Sequence, residues 1–359
     1  MTTERALAWA ATTHRTPGAD GVVLAHGDAG PRVLAGTPPH DRRAREDLEA
    51  RLLAPGATRA HGAGHRAREE EPDPERTCFE RDRDRILHAS AFRRLAGKTQ
   101  VFVHPADHAR TRLTHALEVT QVATSVARAT GLNVPLTEAI ALGHDCGHGP
   151  GGHASEDAFA AFLPEGYDHA PWGADVTLAP LNLCAETLDG IRNHSWSRPA
   201  PSTPEALVVS WADRCAYTAH DLEDAVRAGI VALDDVPADV AAVAGRTRKE
   251  QLRTFVNALI DCVRDTGVVG MRPEPAAALA ALRAFCYERI YTRPASVGQA
   301  DAVIAVLRAL VEHYAAESDA EDPVRSAVAY VGGMTDRFAF DTAVAVLGWE
   351  KDRLPRGVS

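Results

Sequence analysis

From about Thr77 onward, apolar residues recur at helical spacing, as in Leu113, Leu117, Val122 and Val126, and breakers fall between such segments. Alternating apolar and polar positions, the mark of a half-buried strand, are scarce. The pattern predicts an all-α fold. A helix from Pro135 to about Gly143 is announced by Asn133, whose side chain can cap free amides, and by a proline in the first turn, where a missing N–H costs nothing. Further helices are predicted over Leu207–Ala228, with Gly229 as its stop, and over Gln251–Asp265, Ala276–Tyr291 and Val297–Ala316.

The stretch from Met1 to about Glu75 breaks this pattern. It is rich in Gly, Ala, Pro and Arg, with Pro38-Pro39, Pro55-Gly56 and Pro72-Asp73-Pro74 as breakers and an acidic run at Glu69 to Glu71. We read it as an irregular N-terminal arm (1–75) with one short helix. A helical catalytic core (76–230) and a helical C-terminal region packed on that core (231–359) follow.

Composition narrows the function classes. With 359 residues, 45% hydrophobic and 25% charged, the chain has the profile of a globular protein with a sizeable core. A formal net charge of -10 argues against a dedicated nucleic-acid binder. The arginines between Arg42 and Arg94 interleave with Asp and Glu, which reads as a solvated, salt-bridged surface. The six cysteines form no Cys-x-x-Cys pair, consistent with reduced thiols and a cytoplasmic location. No cleavable leader pattern and no apolar run long enough to span a bilayer is apparent, so no membrane association is expected.

The chemistry concentrates in His144-Asp145-Cys146-Gly147-His148-Gly149-Pro150-Gly151-Gly152-His153-Ala154-Ser155-Glu156, at the end of a helix and in the glycine-rich segment after it. Adjacent His and Asp side chains cannot share one face of a continuing helix, but a break at Gly147 lets both turn toward one ion. Imidazole and carboxylate together suit Mn, Fe, Ni, Co or Zn and leave positions open for water or a phosphate oxygen. Upstream, Arg112 and His115 stand at the opening of a helix, whose positive end welcomes phosphate. Downstream, Asp213, Tyr217, His220 and Asp221 fall at i, i+4, i+7 and i+8 and share one face of a single helix. A buried cluster of this kind is costly without a cation.

The order His, then His-Asp, then a distant Asp resembles the signature of the HD superfamily. Flanking words narrow the resemblance to the deoxyguanosine triphosphate triphosphohydrolases: Asp82-Arg83-Asp84-Arg85-Ile86-Leu87-His88, Lys98-Thr99-Gln100-Val101-Phe102, Thr111-Arg112-Leu113-Thr114-His115, Leu188-Asp189-Gly190-Ile191 with His194, Ala212-Asp213-Arg214, and Gly333-Met334-Thr335-Asp336-Arg337-Phe338-Ala339. The resemblance runs in order from about Thr77 to about Ala345. It implies an HD-domain helical bundle with additional C-terminal helices, and a metal held by His115, His144, Asp145 and Asp213. Manganese is the first choice, with Fe, Ni, Co, Zn or Mg as the others. It also implies a catalytic pair at His153 and Glu156, with His148 between metal and phosphates and His169 beside the phosphates. Arg112 and Arg214 match phosphate-contacting positions, and Tyr217 and Asp221 match positions that meet the sugar. Two departures stand out: Pro150-Gly151-Gly152-His153 lacks the aromatic that usually precedes Gly-His, and Ala96 replaces a residue that is often polar.

The implied reaction releases deoxynucleoside and inorganic triphosphate from a deoxynucleoside triphosphate. A homo-oligomer and a possible nucleotide activator go with the resemblance. The alternative within hydrolases is an HD nucleotidase acting on monophosphates or on an unusual nucleotide. A non-catalytic nucleotide sensor fits poorly, because the metal and acid–base residues are all present. A zinc peptidase is excluded by the absence of His-Glu-x-x-His.

Overall fold

The computed structural model describes residues 3–11, 16–17, 22–24, 36–38, 40–103 and 109–355. The chain separates into two compact units, Met1–His40 and Asp41–Ser359. In the first, the described residues form helix α1 (Thr3–Ala11) and a two-residue antiparallel pair, β1 (Thr16–Pro17) with β2 (Val23–Leu24). Pro39, one of the breakers noted above, lies outside the described residues.

The residues expected to carry chemistry lie in the second unit, whose regular elements among the described residues are helices. In chain order it contains α2 (Arg42–Leu52), α3 (Cys78–His88), α4 (Ser90–Arg94), α5 (Arg112–Thr130), α6 (Val134–Gly143), α7 (Ala154–Ala160), α8 (His169–Trp172), α9 (Ala185–Arg192) and α10 (Pro204–Arg227). These are followed by α11 (Ala238–Ala244), α12 (Arg248–Thr266), α13 (Pro273–Cys286), α14 (Pro294–Ala316), α15 (Pro323–Gly332) and α16 (Asp336–Leu347). The all-α class expected from the periodicity is therefore the class the chain adopts. Asn133 caps α6 as expected, its side chain accepting the N–H of Leu136. The helix expected over Ala276–Tyr291 divides instead, because its last turn widens into a π-turn at Tyr287–Tyr291.

The boundary at His40 falls inside the stretch set apart as 1–75, and among its described residues two helices lie there, α1 and α2. The physical reason is buried polar pairing between residues 41–75 and the bundle. Arg66 pairs with Asp82 at 2.6 Å, and Glu205 accepts the N–H of Thr58 at 3.0 Å and that of Asn133 at 2.9 Å. Breaking such buried pairs leaves orphaned charges, so this segment behaves as part of the bundle.

Two apolar cores organise the unit. The larger gathers Phe79, Ile86, Val119, Ile140, Ile191 and Val209 from α3, α5, α6, α9 and α10. The smaller gathers Phe159, Val306, Leu310, Val328 and Phe340 from α7, α14, α15 and α16. Helix α14 is long and apolar enough to cross a membrane by length and composition, contrary to the reading that no such run exists. Here its buried stripe, Val303, Val306, Leu307, Leu310 and Val311, packs into the smaller core.

Candidate metal centre and active site

Helix α6 ends against α5 and α10, and the site is built on that ending. His144, the C-cap, keeps a helical backbone, and its Nδ1 lies 2.7 Å from the carbonyl oxygen of Ala141. A carbonyl only accepts, so Nδ1 carries the proton and Nε2 presents a lone pair. That Nε2 is buried without a hydrogen-bond partner among the described residues, 3.5 Å from Asp145 Oδ1 and 3.6 Å from Asp213 Oδ1. Three electron-rich atoms facing one another in a buried space call for a cation between them.

His115 enters from the first turn of α5, with Nε2 3.0 Å from Asp213 Oδ1 and 4.0 Å from Asp145 Oδ2. Ligand atoms of His115, His144 and Asp145 lie within 4.8 Å of one another, as do those of His144, His194 and Asp213. The four residues expected to hold a metal are thus brought together in two overlapping groups. Burial opposes ionisation of Asp213, but the hydrogen bond from His115 and the nearby His144 prevail and hold it at about 2. Asp145 is likewise held well below the usual carboxylate range, burial being outweighed by the Arg112 guanidinium and His144. Both carboxylates are charged at neutral pH and suited to a divalent ion.

The chain then passes through Gly147, where a side chain is impossible: a Cβ would lie 2.0 Å from the backbone oxygen of His169. This close approach delivers a second cluster. Glu156, in the first turn of α7, has its Oε1 2.8 Å from His169 Nδ1, 3.1 Å from His153 Nδ1 and 3.6 Å from His148 Nδ1. The His148 and His169 rings stack at 3.7 Å. His153 is the exposed member, with 75% of its side chain open to solvent. Burial disfavours charge on Glu156, yet its hydrogen bonds with His153 and His169 take its pKa far below normal. The same contact raises His169 against the effect of its burial. Burial, with Arg112 nearby, keeps His148 neutral.

Arg112 is buried and donates to Asp145 Oδ2 at 2.7 Å through Nη1, while its Nε and Nη2 have no hydrogen-bond partner among the described residues. It lines a cavity of about 500 Å³ together with His115, Asp145, Asp213 and His153. Further lining comes from α10, the segment before it, α13 and the π-turn after α13. Arg214 lies over the ring of Trp196 at 3.4 Å, and Tyr217 Oη accepts from Arg283 Nε at 2.7 Å. Asp221 Oδ2 accepts from Tyr291 Oη at 2.5 Å, and burial raises this carboxyl to about 7.

Of the four polar residues expected on one face of α10, Asp213, Tyr217 and Asp221 line the cavity and His220 does not. His220 turns to Glu118, 3.3 Å away, beside the ion-pair network of Arg110. His194, Arg283 and Tyr291 are among the lining residues that carried no role in the sequence reading. His194 stood within a recognised word, and its Nε2 lies 3.2 Å from that of His169. Arg283 and Tyr291 had no local signal at all.

The HD domain model matches residues 112–218, a span that contains all four metal-binding candidates. A deoxyguanosinetriphosphate triphosphohydrolase-like protein of Caldanaerobacter subterraneus is 40% identical over 316 residues, covering 83% of this chain and 93% of the relative. The chain belongs to this family. A second such relative, from Clostridium perfringens, is 40% identical over 76% of this chain and 87% of its own length. One from Ruegeria is 36% identical over 80% and 97%. A crystal structure of a hypothetical protein from Aquifex aeolicus shares the fold, with a TM-score of 0.50, 15% identity, and coverage of 76% of this chain and 69% of that one. Membership supports a phosphohydrolase, and HD domains bind divalent metals.

Proposed function

We propose that this family member hydrolyses deoxynucleoside triphosphates to deoxynucleoside and inorganic triphosphate. The observation that carries the reading is one cavity lined by three chemistries. Arg112, whose Nε and Nη2 have no hydrogen-bond partner among the described residues, three of the metal-binding candidates (His115, Asp145 and Asp213), and Tyr217, Asp221 and Tyr291 all face it. The relatives' printed names point to the same substrate class.

His115, His144, Asp145 and Asp213 would hold the ion, which supplies a lowered water pKa and a polarised phosphoryl oxygen. Water attacks the α-phosphorus, and the bond from that phosphorus to the sugar oxygen breaks. His153 gives its proton to the departing sugar oxygen, and Glu156, 3.1 Å from its Nδ1, sets the tautomer and the ring orientation. Arg112 and Arg214 offset charge on the triphosphate. Asp221 and Tyr217 meet the sugar, and a closed 2' side would turn ribonucleotides away.

The deciding experiment incubates metal-loaded protein with each of the four deoxynucleoside triphosphates, singly and mixed, and identifies every product. Inorganic triphosphate with free deoxynucleoside is expected, and higher turnover in mixtures would reveal nucleotide activation. Release of orthophosphate or pyrophosphate, or preference for monophosphates, would defeat the reading.

A further inference from the structure

Among the described residues three arginines line the cavity, and each is held differently. Arg112 is paired with Asp145, and Arg283 donates to Tyr217. Arg214 forms no ion pair among the described residues, and its Nε is buried there without a hydrogen-bond partner. Its guanidinium lies instead over the Trp196 ring, 3.4 Å from the centroid.

A guanidinium standing upright at that distance would drive a nitrogen into the ring, so the two planes lie nearly parallel. A stacked guanidinium keeps its N–H bonds in its own plane, pointing past the indole. The indole thus fixes the cation without taking a donor or neutralising the charge, whereas a carboxylate would do both. Burial of Arg214 and the neighbouring Arg283 both act against that charge, and the negative face of the ring offsets part of the cost.

Trp196 is itself built in. It sits on the connection between α9 and α10, and its Nε1 donates to the carbonyl oxygen of Ser210 at 3.2 Å. Trp211 meets it edge-on, with centroids 4.6 Å apart, and Ser210 Oγ donates to the carbonyl oxygen of His194 at 2.5 Å. Ser210, Trp211 and Arg214 fall within five residues of α10, so one stretch of helix carries both the cation and the mount of its platform. Yet 45% of Trp196 stays exposed, and it lines the cavity. A ring this open adds little to a core; its face is given to Arg214.

We propose that Trp196 is a positioning residue for the triphosphate: it holds Arg214 flat, charged and with its N–H edge free for phosphate oxygens. The proposal rests on the reading of Arg214 as a phosphate contact under Proposed function; the stacking does not.

The test measures binding of inorganic tripolyphosphate to the full-length, metal-loaded protein by calorimetry, together with KM and kcat for the preferred deoxynucleoside triphosphate. Trp196→Leu keeps an apolar side chain but removes the aromatic face. It should weaken tripolyphosphate by about tenfold and raise KM by a similar factor, with a smaller change in kcat. Trp196→Phe, which restores an aromatic face, should recover most of the loss. In an Arg214→Ala background Trp196→Leu should add nothing further. Parent-like affinity in Trp196→Leu, equal losses in the Leu and Phe variants, or the same loss with Arg214 already removed overturns the proposal and leaves triphosphate hydrolysis standing. Failure of the parent to bind tripolyphosphate overturns the phosphate role of Arg214, and the proposal with it.

Discussion

Asp336 Oδ1 accepts the backbone N–H of Gly151 at 2.8 Å, joining residues 185 positions apart in the chain. The other oxygen accepts the N–H of Thr99 at 3.0 Å and its hydroxyl, while Lys98 Nζ donates to the carbonyl oxygens of His148 and Gly332. The glycine-rich loop between His148 and His153 is thus held from outside the HD match, by the start of α16 and the end of α15. Asp336→Ala leaves three buried donors unpaired, at about 1–3 kcal/mol each before relaxation. Thermal unfolding of the variant should shift down by several degrees, and turnover should fall with metal content preserved. An unaltered melting temperature and kcat would show that the loop holds itself.

Asp213→Ala removes the candidate ligand that α10 delivers to a cluster otherwise built from α5 and the end of α6. Metal analysis after dialysis should show loss of the ion, and activity should vanish while the helical circular dichroism persists. Retained stoichiometric metal would remove Asp213 from the ligand set.

His153→Ala separates chemistry from binding. With the metal centre intact, kcat should drop by roughly 10² to 10⁴-fold, the scale of general acid–base catalysis. A rise in KM at constant kcat would reassign His153 to substrate positioning.

Asp221→Asn tests the buried carboxyl through stability. Its folded pKa of about 7 lies above the ordinary 3.8, so the folded state holds the proton more tightly than the unfolded chain does. Stability is therefore favoured at low pH and declines as pH rises from 3.8 to about 7, with the full penalty present above that. The slope is about 1.4 kcal/mol per pH unit, and Asn does not titrate. Metal-free variant and parent should melt closer together at pH 5 than at pH 8, where the variant should be the more stable. A gap that stays constant with pH would mean that Asp221 is solvated.

The parts of this molecule readable from sequence are those whose cause is local. Asn133 and Pro135 announce α6 because a cap and a first-turn proline act within three residues. His144, Asp145 and Gly147 announce a metal centre because the helix break and the donors are neighbours. His220 misled, because helical spacing gives a direction only to within a fraction of a turn, and Arg110 with Glu118 draws its surroundings into an ion-pair network. Arg283 and Tyr291 went unnoticed because they reach the cavity only through the packing of α13 beside α10. Residues 41–75 looked like an arm because their pairing with Asp82 and Glu205 is long-range and leaves no periodic trace.

The close approach at Gly147 has an evolutionary consequence. Gly147, Gly149 and Gly151 each lack room for even a methyl group, with a built Cβ meeting backbone or packed side-chain atoms at 2.0–2.7 Å, so this floor tolerates almost no drift. Other lining residues, Tyr287, Gln299 and Ala300, are carried by the π-turn and the first turns of α14, away in the chain from the candidate metal ligands and from His153 and Glu156. New substrate preferences in this lineage would therefore arise by substitution at those positions, while the reaction itself stays locked in the glycines.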